Sequence, residues 1–244
     1  MDLQYMALLS AVPAVIALLA WGAGCFQPVK FRRSTMQPFW FAYIHHVGPY
    51  DKVGTSFDAL VKKARELKLP DEQWDGKASI TSPPLAGIYF DNPDKTSPGR
   101  CRASIGLRLK SKLSAEQLAS AGLQQSEIPA VDAAMVCPWR LAWGPMHLPS
   151  IIVGVTRVYG TAKREWSTLV HSKESAMEVR SGVQLDTPLS VQLDTPLSVE
   201  LYDGHDVKFC FPLVKGGILK WDGPSEDPNA DLVFMGPSLD KKHL

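Results

Sequence analysis

The 244-residue sequence has few cysteines and no excess of charge of either sign, and both absences exclude classes of function. Its four cysteines are widely spaced and form no Cys-x-x-Cys pair, so the sequence predicts neither a disulfide framework nor a zinc site. The 26 Lys and Arg nearly balance the 25 Asp and Glu. Because a nucleic-acid surface requires a clear excess of basic residues, we expect no direct binding of nucleic acid.

The sequence also lacks the motifs of familiar enzymes and metal sites. It contains no Gly-rich phosphate loop and no Gly-x-Ser-x-Gly elbow. His45 and His46 are adjacent, so on a strand they would point to opposite faces, and no third metal ligand stands at a useful spacing. We therefore expect no metal and no cofactor. The sequence favours a protein that is not an enzyme, with an enzyme left open as the alternative.

The N-terminal region lacks charge. No charged residue lies between Asp2 and Lys30. Residues 5–26 form an apolar run that is long enough, at about 1.5 Å per residue, to cross roughly 30 Å of hydrocarbon. Tyr5 and Trp21 lie near its two ends, where aromatic side chains favour the membrane interface. We predict a transmembrane helix over this range.

The flanking charges predict how the helix is oriented. Three basic side chains, those of Lys30, Arg32 and Arg33, follow the apolar run, whereas the α-amino group is the only positive charge before it. By the positive-inside rule, residues 1–4 form a lumenal stub and the C-terminal part faces the cytosol. A cleaved signal peptide and a lipoprotein signal ending at Cys25 are the alternatives, but both require a basic segment before the apolar run.

The last four residues resemble a localisation signal. Lys241 and Lys242 lie four and three positions from the end, which is the spacing of a dilysine retrieval signal. Such a signal is read in the cytosol, in agreement with the predicted topology; a chance pair of lysines is the alternative. We expect a single-pass protein of the endoplasmic-reticulum membrane, with a juxtamembrane segment at 27–38 and a flexible tail at 216–244.

Residues 39–215 have the pattern of an α+β domain built from two strand-helix-strand-strand units. The first unit contains a strand at 39–46, an amphipathic helix from Tyr50, and strands at 85–90 and 103–109. The second contains a strand at 133–139, a helix at 151–170 and a hairpin at 197–213. An eight-residue duplication (VQLDTPLS, 183–190 and 191–198) precedes this hairpin. Because eight is even, the insertion preserves strand parity, so we interpret it as a tolerated loop insertion.

The hairpin contains the most informative carboxylate. With Asp203-Gly204 as a two-residue turn, Glu200 lies opposite Val207, on an apolar face that also carries Phe209. A carboxylate there requires a partner or a raised pKa, and a cationic ligand would supply the partner. Alternatively, a three-residue loop with a bulge turns one strand over and leaves Glu200 in solvent.

Four motifs carry a family resemblance: YIHHVGPY at 43–50, IYFDNP at 88–93, CRASIG at 101–106 and VELYDGHDVKFCFPL at 199–213. Together they resemble GyrI-like domains and, more closely, the testis-expressed protein 264 family. The resemblance implies two repeated units side by side, with a cleft between them that binds small hydrophobic cations. It places Glu200 and Tyr202 at the Glu-x-Tyr position of drug-binding bacterial relatives, with Tyr43 and Trp139 as candidate wall residues. Some relatives are hydrolases that use a comparable glutamate.

The resemblance also implies protein partners. Vertebrate members are receptors for endoplasmic-reticulum autophagy and are implicated as adaptors for an AAA ATPase segregase. Their long tail carries an aromatic-x-x-aliphatic motif, whereas here Trp221 and Phe234 are each followed three positions on by proline.

We therefore expect a membrane-anchored GyrI-like module that acts as a receptor or adaptor. The alternative is a ligand-binding or hydrolytic domain that uses Glu200. A third interpretation is a scaffold whose cleft is filled by its own side chains.

Overall fold

A computed structural model describes residues 3–76, 83–142, 144–181 and 198–212, together with residues 219 and 223. Within these ranges, only the backbone is described for residues 3–11, 132–133 and 165–181. The duplicated segment up to residue 197 and the two tail lysines, Lys241 and Lys242, lie outside the described residues.

Four helices and eight strands alternate along this part of the chain. The helices are α1 (Leu3–Gly22), α2 (Val53–Leu67), α3 (Ala115–Ala121) and α4 (His147–Ser181). The strands are β1 (Arg32–Met36), β2 (Phe39–Val47), β3 (Leu85–Tyr89), β4 (Arg102–Leu109), β5 (Gln124–Ile128), β6 (Val131–Arg140), β7 (Ser198–Asp203) and β8 (Asp206–Pro212). The prediction of a mixed α+β fold is confirmed. The elements β1, α3 and β5 were not predicted.

All eight strands form one curled antiparallel sheet in the order β1-β6-β8-β7-β3-β4-β2-β5. The first unit, β2-α2-β3-β4, occupies one half, and the second unit, β6-α4-β7-β8, occupies the other half with its strands in mirrored order. The two halves meet where β3 pairs with β7. This β3–β7 seam therefore joins the two repeats that the strand and helix pattern predicts.

Helices α2 and α4 pack on one face of the sheet. On α2, Leu60 and Ala64 are buried against β3 and β4, while Val158 and Ala162 of α4 are buried against β6 and β8. The other face curls around a separate apolar core that includes Phe41, Tyr43, Ile88 and Leu201. The apolar stripe of each helix thus decides which face of its strands it covers.

A buried ion pair ties the first unit to the hairpin. The Arg108 guanidinium of β4 donates to Asp75 at 2.8 Å and to Asp203 of β7 at 2.9 Å, and it lies 5.5 Å from the centre of the Phe39 ring. Because both carboxylates share one largely buried cation, this network links segments on both sides of the β3–β7 seam.

The hairpin turn differs from the prediction by one residue. Asp203 pairs with Asp206, so the central residues of the turn are Gly204 and His205 instead of Asp203 and Gly204. The positive φ of Gly204, 62°, suits the first central position of a two-residue turn, which favours this register. Glu200 therefore lies opposite Phe209 instead of Val207. Since this shift of two residues preserves parity, the carboxylate stays on the predicted apolar face, and the bulged alternative is not observed.

The N-terminal apolar run forms α1, whose described side chains include exposed Val15, Ile16 and Leu18. Among the described residues, no helix is sufficiently long and apolar to cross a membrane. Residues 5–11 of the predicted span have side chains outside this description.

Two glycines give contrasting predictions for stability. A Cβ at Gly106 in β4 would lie 2.7 Å from the carbonyl oxygen of Ala42 and would overlap the Phe41 ring, whereas a Cβ at Gly54 in α2 would meet nothing within 4 Å. We expect Gly106→Ala to lower the free energy of unfolding by about 1–3 kcal/mol through overpacking. Gly54→Ala should raise it by about 0.5–1 kcal/mol because alanine favours helix. Urea denaturation checks both, and equal effects of the two substitutions would contradict the packing described here.

Candidate functional site

Glu200 lies in the middle of the β3–β7 seam. It faces Gly87 of β3 on one side and Phe209 of β8 on the other, and its residue surface is only 3% exposed. Even-numbered residues of β7 point towards α2 and α4. The Glu200 carboxylate therefore lies in the layer between the sheet and these two helices. A titratable group is thus buried where the two units meet.

Three tyrosine hydroxyls surround this carboxylate. Tyr89 of β3 donates to Oε2 at 3.1 Å, Tyr159 of α4 lies 2.9 Å from Oε1, and Tyr202 of β7 donates to Oε2. The Tyr159 hydroxyl is also 2.9 Å from Ser198 Oγ. We call Tyr89, Tyr159 and Tyr202 the tyrosine cage. Among the described residues, no Lys, Arg or His forms an ion pair with Glu200.

Other rings pack behind the cage and connect it to both helices. Ring centroids are 5.0 Å apart for Tyr50 and Tyr89, 5.2 Å for Phe57 and Tyr202, and 5.5 Å for Tyr159 and Phe211. All three pairs meet edge to face, which is a favourable geometry for aromatic rings. The carboxylate is therefore enclosed by aromatic side chains from the sheet, α2 and α4.

Gly87 provides the space that Tyr89 needs. It is the direct partner of Glu200 across the seam, and a Cβ there would lie 2.9 Å from the Tyr89 ring and 3.0 Å from its hydroxyl. Because glycine has no side chain, the ring can lean along the strand towards the carboxylate. Any other residue at position 87 would compete with Tyr89 for this space.

Burial controls the protonation of the site. Loss of solvent raises the pKa of the Glu200 carboxyl, while hydrogen bonds from Tyr202, Tyr159 and Tyr89 partly oppose the rise. Burial, followed by the nearby Glu200 charge, raises the pKa of all three cage hydroxyls well above their ordinary value. The tyrosines therefore remain protonated donors at neutral pH.

The structure brings together only part of the predicted site. Glu200 and Tyr202 are in direct contact. Tyr43 lies on the opposite face of the sheet, where it is buried and stacks on Phe41 at 5.1 Å. Trp139 shares the helix-facing side but is separated from Tyr202 by the intervening Val207 of β8.

Trp139 has a different set of contacts. Its indole nitrogen donates to the Ser150 carbonyl at 3.2 Å, and it packs where a Cβ at Gly154 would lie, 2.7 Å from that nitrogen. It therefore packs against the beginning of α4 instead of the cage.

Sequence reasoning missed Tyr89 and Tyr159. Tyr89 does lie in the IYFDNP motif, although nothing local ties it to Glu200, and the two residues are 111 positions apart. Tyr159 belongs to a long helix whose packing face is set by tertiary contacts. In the described part of the chain, no group of three or more His, Cys, Asp or Glu could hold a metal ion.

Comparison with known proteins finds a family model that matches part of the chain. Residues 30–136 match the family model of the GyrI-like small molecule binding domain, a range that runs from just before β1 into β6 and contains the first unit. No curated protein matches the chain. None of these matches singles out the testis-expressed protein 264 family.

Several solved structures resemble the chain at low identity. The structure of SAV2435 bound to tetraphenylphosphonium is 10% identical with a TM-score of 0.36, and the match covers 76% of this chain and 94% of that one. An uncharacterised conserved protein from Listeria innocua is 13% identical with a TM-score of 0.41, covering 75% and 91%. A hydrolase from Listeria innocua is 13% identical with a TM-score of 0.36, covering 80% and 98%.

The raised pKa of Glu200 predicts how stability depends on pH. Between the ordinary carboxyl pKa of about 4.3 and the raised value, the folded state binds more protons than the unfolded state. The contribution of Glu200 to the free energy of unfolding therefore falls as the pH rises through this window. Glu200→Gln keeps hydrogen-bonding atoms beside the cage and removes this titration, so its stability relative to the native chain should increase with pH and then level off.

Urea denaturation across a pH series measures this difference. Glu127→Gln removes the same group from an exposed position of β5 and serves as the matched control. Parallel stability curves for the native chain and Glu200→Gln would contradict the assigned burial of the carboxylate.

Proposed function

We propose that this GyrI-like domain binds a lipophilic organic cation against Glu200. The observation that carries the proposal is a carboxylate buried between two structural units, whose described partners are three neutral hydroxyls and no cation. A buried charge without a counter-ion is costly, and a cationic ligand would offset that cost. The match to a small molecule binding family supports the same conclusion.

The surrounding rings determine the ligand class. The edges and faces of Tyr50, Phe57 and Phe211 lie behind the cage, so most of the surface near the carboxylate is aromatic. Aromatic faces attract cations and also bury apolar groups. A delocalised cation with aromatic or alkyl substituents would satisfy both the carboxylate and these rings, whereas a small hydrated cation would leave the rings unused.

The cage is closed in the structure, so binding requires a movement. Tyr202 and Tyr159 are both half-buried and come from different elements, β7 and α4. Rotation of either side chain would withdraw its hydroxyl from Glu200. In this proposal the tyrosine hydroxyls solvate the carboxylate in the unliganded protein, and the ligand cation replaces one or more of them.

Titration of the full chain with tetraphenylphosphonium tests the proposal. We expect saturable binding, and we expect Glu200→Gln to weaken it by at least about tenfold because the interaction between opposite charges is lost. Glu127→Gln, which removes an exposed carboxylate, should bind as the native chain does. Isothermal titration calorimetry reports all three affinities.

Two results would count against this function. Absence of binding would favour a scaffold whose cleft is filled by its own side chains. Equal binding by Glu200→Gln would remove the carboxylate from the site. Ester hydrolysis that is lost in Glu200→Gln would instead favour the hydrolytic alternative, in which the same carboxylate acts as a base.

We further propose that α1 tethers this domain to the endoplasmic-reticulum membrane, where it acts as a receptor or adaptor. The exposed apolar side chains of α1, among them Ile16 at 61% and Leu18 at 64%, support a lipid-facing helix. The resemblance to the testis-expressed protein 264 family supports this location and partners in autophagy or an AAA ATPase segregase.

A glycosylation-site scan tests this topology in cells. Acceptor sites placed in exposed loops of the domain should remain unmodified because they face the cytosol, while a site added before α1 should be glycosylated. Glycosylation of the domain would contradict the proposed orientation, and complete release of the protein by alkaline carbonate would contradict the anchor.

A further inference from the structure

A cavity lies between α4 and the segment that follows α1, on a face of α4 different from that of the cage residue Tyr159. It has a volume of about 450 Å³, within the roughly 300–1,000 Å³ range of ligand pockets. Its lining residues are Val29, Thr156, Arg157, Gly160, Thr161 and Arg164. We call it the α4 arginine cleft. Among these residues, two carry a permanent positive charge, two carry hydroxyls and none is acidic.

Arg157 is held in place at one end of this cleft. Its Nη1 donates to three carbonyl oxygens in the turn after α1, those of Gly24 at 3.2 Å, Cys25 at 2.6 Å and Gln27 at 2.7 Å. Its guanidinium also lies 5.7 Å from the centre of the Trp139 ring. All these hydrogen bonds use the same nitrogen, so Nε and Nη2 keep their donor capacity for a ligand.

Arg164 completes the donor set about two helical turns further on. Residues 157, 160, 161 and 164 recur at three- and four-residue spacing, so they share one face of α4. The Arg164 Nη2 lies 3.3 Å from Thr161 Oγ1, which orients the guanidinium along the helix. Gly160 between the arginines contributes no side chain, and a Cβ there would meet nothing within 4 Å. The helix surface at Gly160, between the two arginines in sequence, is therefore unobstructed.

We propose that the α4 arginine cleft binds a phosphate group. Planar guanidinium groups with paired N–H donors match phosphate oxygens, and threonine hydroxyls add further donors. The phosphate could belong to a lipid headgroup or to a soluble molecule, since both present the same oxygens. The cleft adjoins the end of α1, where Trp21 and Phe26 are 69% and 67% exposed, which suits a lipid phosphate at a membrane surface.

The test uses the full chain in a zwitterionic detergent with three probes: inorganic phosphate, dihexanoyl phosphatidic acid and dihexanoyl glycerol. The third has the acyl chains of the second without its phosphate. Calorimetry should show binding of a phosphate-bearing probe and none of dihexanoyl glycerol. Tighter binding of phosphatidic acid than of inorganic phosphate would assign the lipid source, and equal binding would assign a soluble one.

Two variants make the test specific to the cleft. Arg164→Gln should weaken phosphate binding by at least about tenfold because charge-assisted hydrogen bonds are lost. Lys163→Gln removes the same charge from the neighbouring residue, which pairs with Asp94 at the surface, and should change the affinity by less than about twofold. Arg164 is exposed, so the melting temperature should be unchanged.

Equal weakening by the two substitutions would overturn the proposal, because it would indicate a general charge effect. Absence of binding of both phosphate probes would also overturn it. Tetraphenylphosphonium binding should be the same in Arg164→Gln and the native chain, which separates failure of this cleft from failure of the Glu200 site.

Discussion

The pairing of β3 with β7 is the constraint on which the rest of the structure depends. Among the described strands, this pairing joins the two strand-helix-strand-strand units into a single sheet. At its centre Gly87, which has no side chain, lies opposite the buried carboxylate of Glu200. The space above the glycine admits Tyr89, and the helices of the two units close over the carboxylate from both sides. The site is therefore a consequence of joining the repeats.

The carboxylates on the two faces of the β3–β7 seam have different partners. On the helix-facing side, the partners of Glu200 among the described residues are tyrosine hydroxyls, and burial raises the pKa of its carboxyl. On the opposite side, Asp203 reaches the Arg108 cation, which also binds Asp75. The ion pairs compensate the buried Arg108 charge in place, whereas the tyrosine cage leaves a negative potential that a ligand could neutralise. This contrast explains why one of two nearby carboxylates is a candidate for binding and the other is structural.

Local sequence patterns predicted much of this architecture. The alternation of strands and amphipathic helices predicted both units. The apolar face of β8 placed Glu200 among aromatic residues, even though the turn lies one residue later than predicted and the strand pairing shifts by two residues. The capping box at Ser114 and Gln117 marks the start of α3 and could have predicted that helix. Tyr89 and Tyr159 could not be predicted, because they approach Glu200 only through pairing and packing between distant segments. Tyr43 was assigned by resemblance, and period-two alternation alone does not determine which face of β2 meets the helices.

Glu200 is a buried carboxylate that a bound cation would neutralise. The most direct test measures the pKa of this carboxyl by carbon-13 NMR of protein labelled at glutamate. The spectrum of Glu200→Gln assigns the signal. Without ligand the pKa should lie above the ordinary glutamate value, and saturating tetraphenylphosphonium should lower it because the cation stabilises the ionised form. An ordinary pKa in the free protein would contradict the burial of Glu200. A pKa that saturating ligand leaves unchanged would contradict cation binding at this carboxylate.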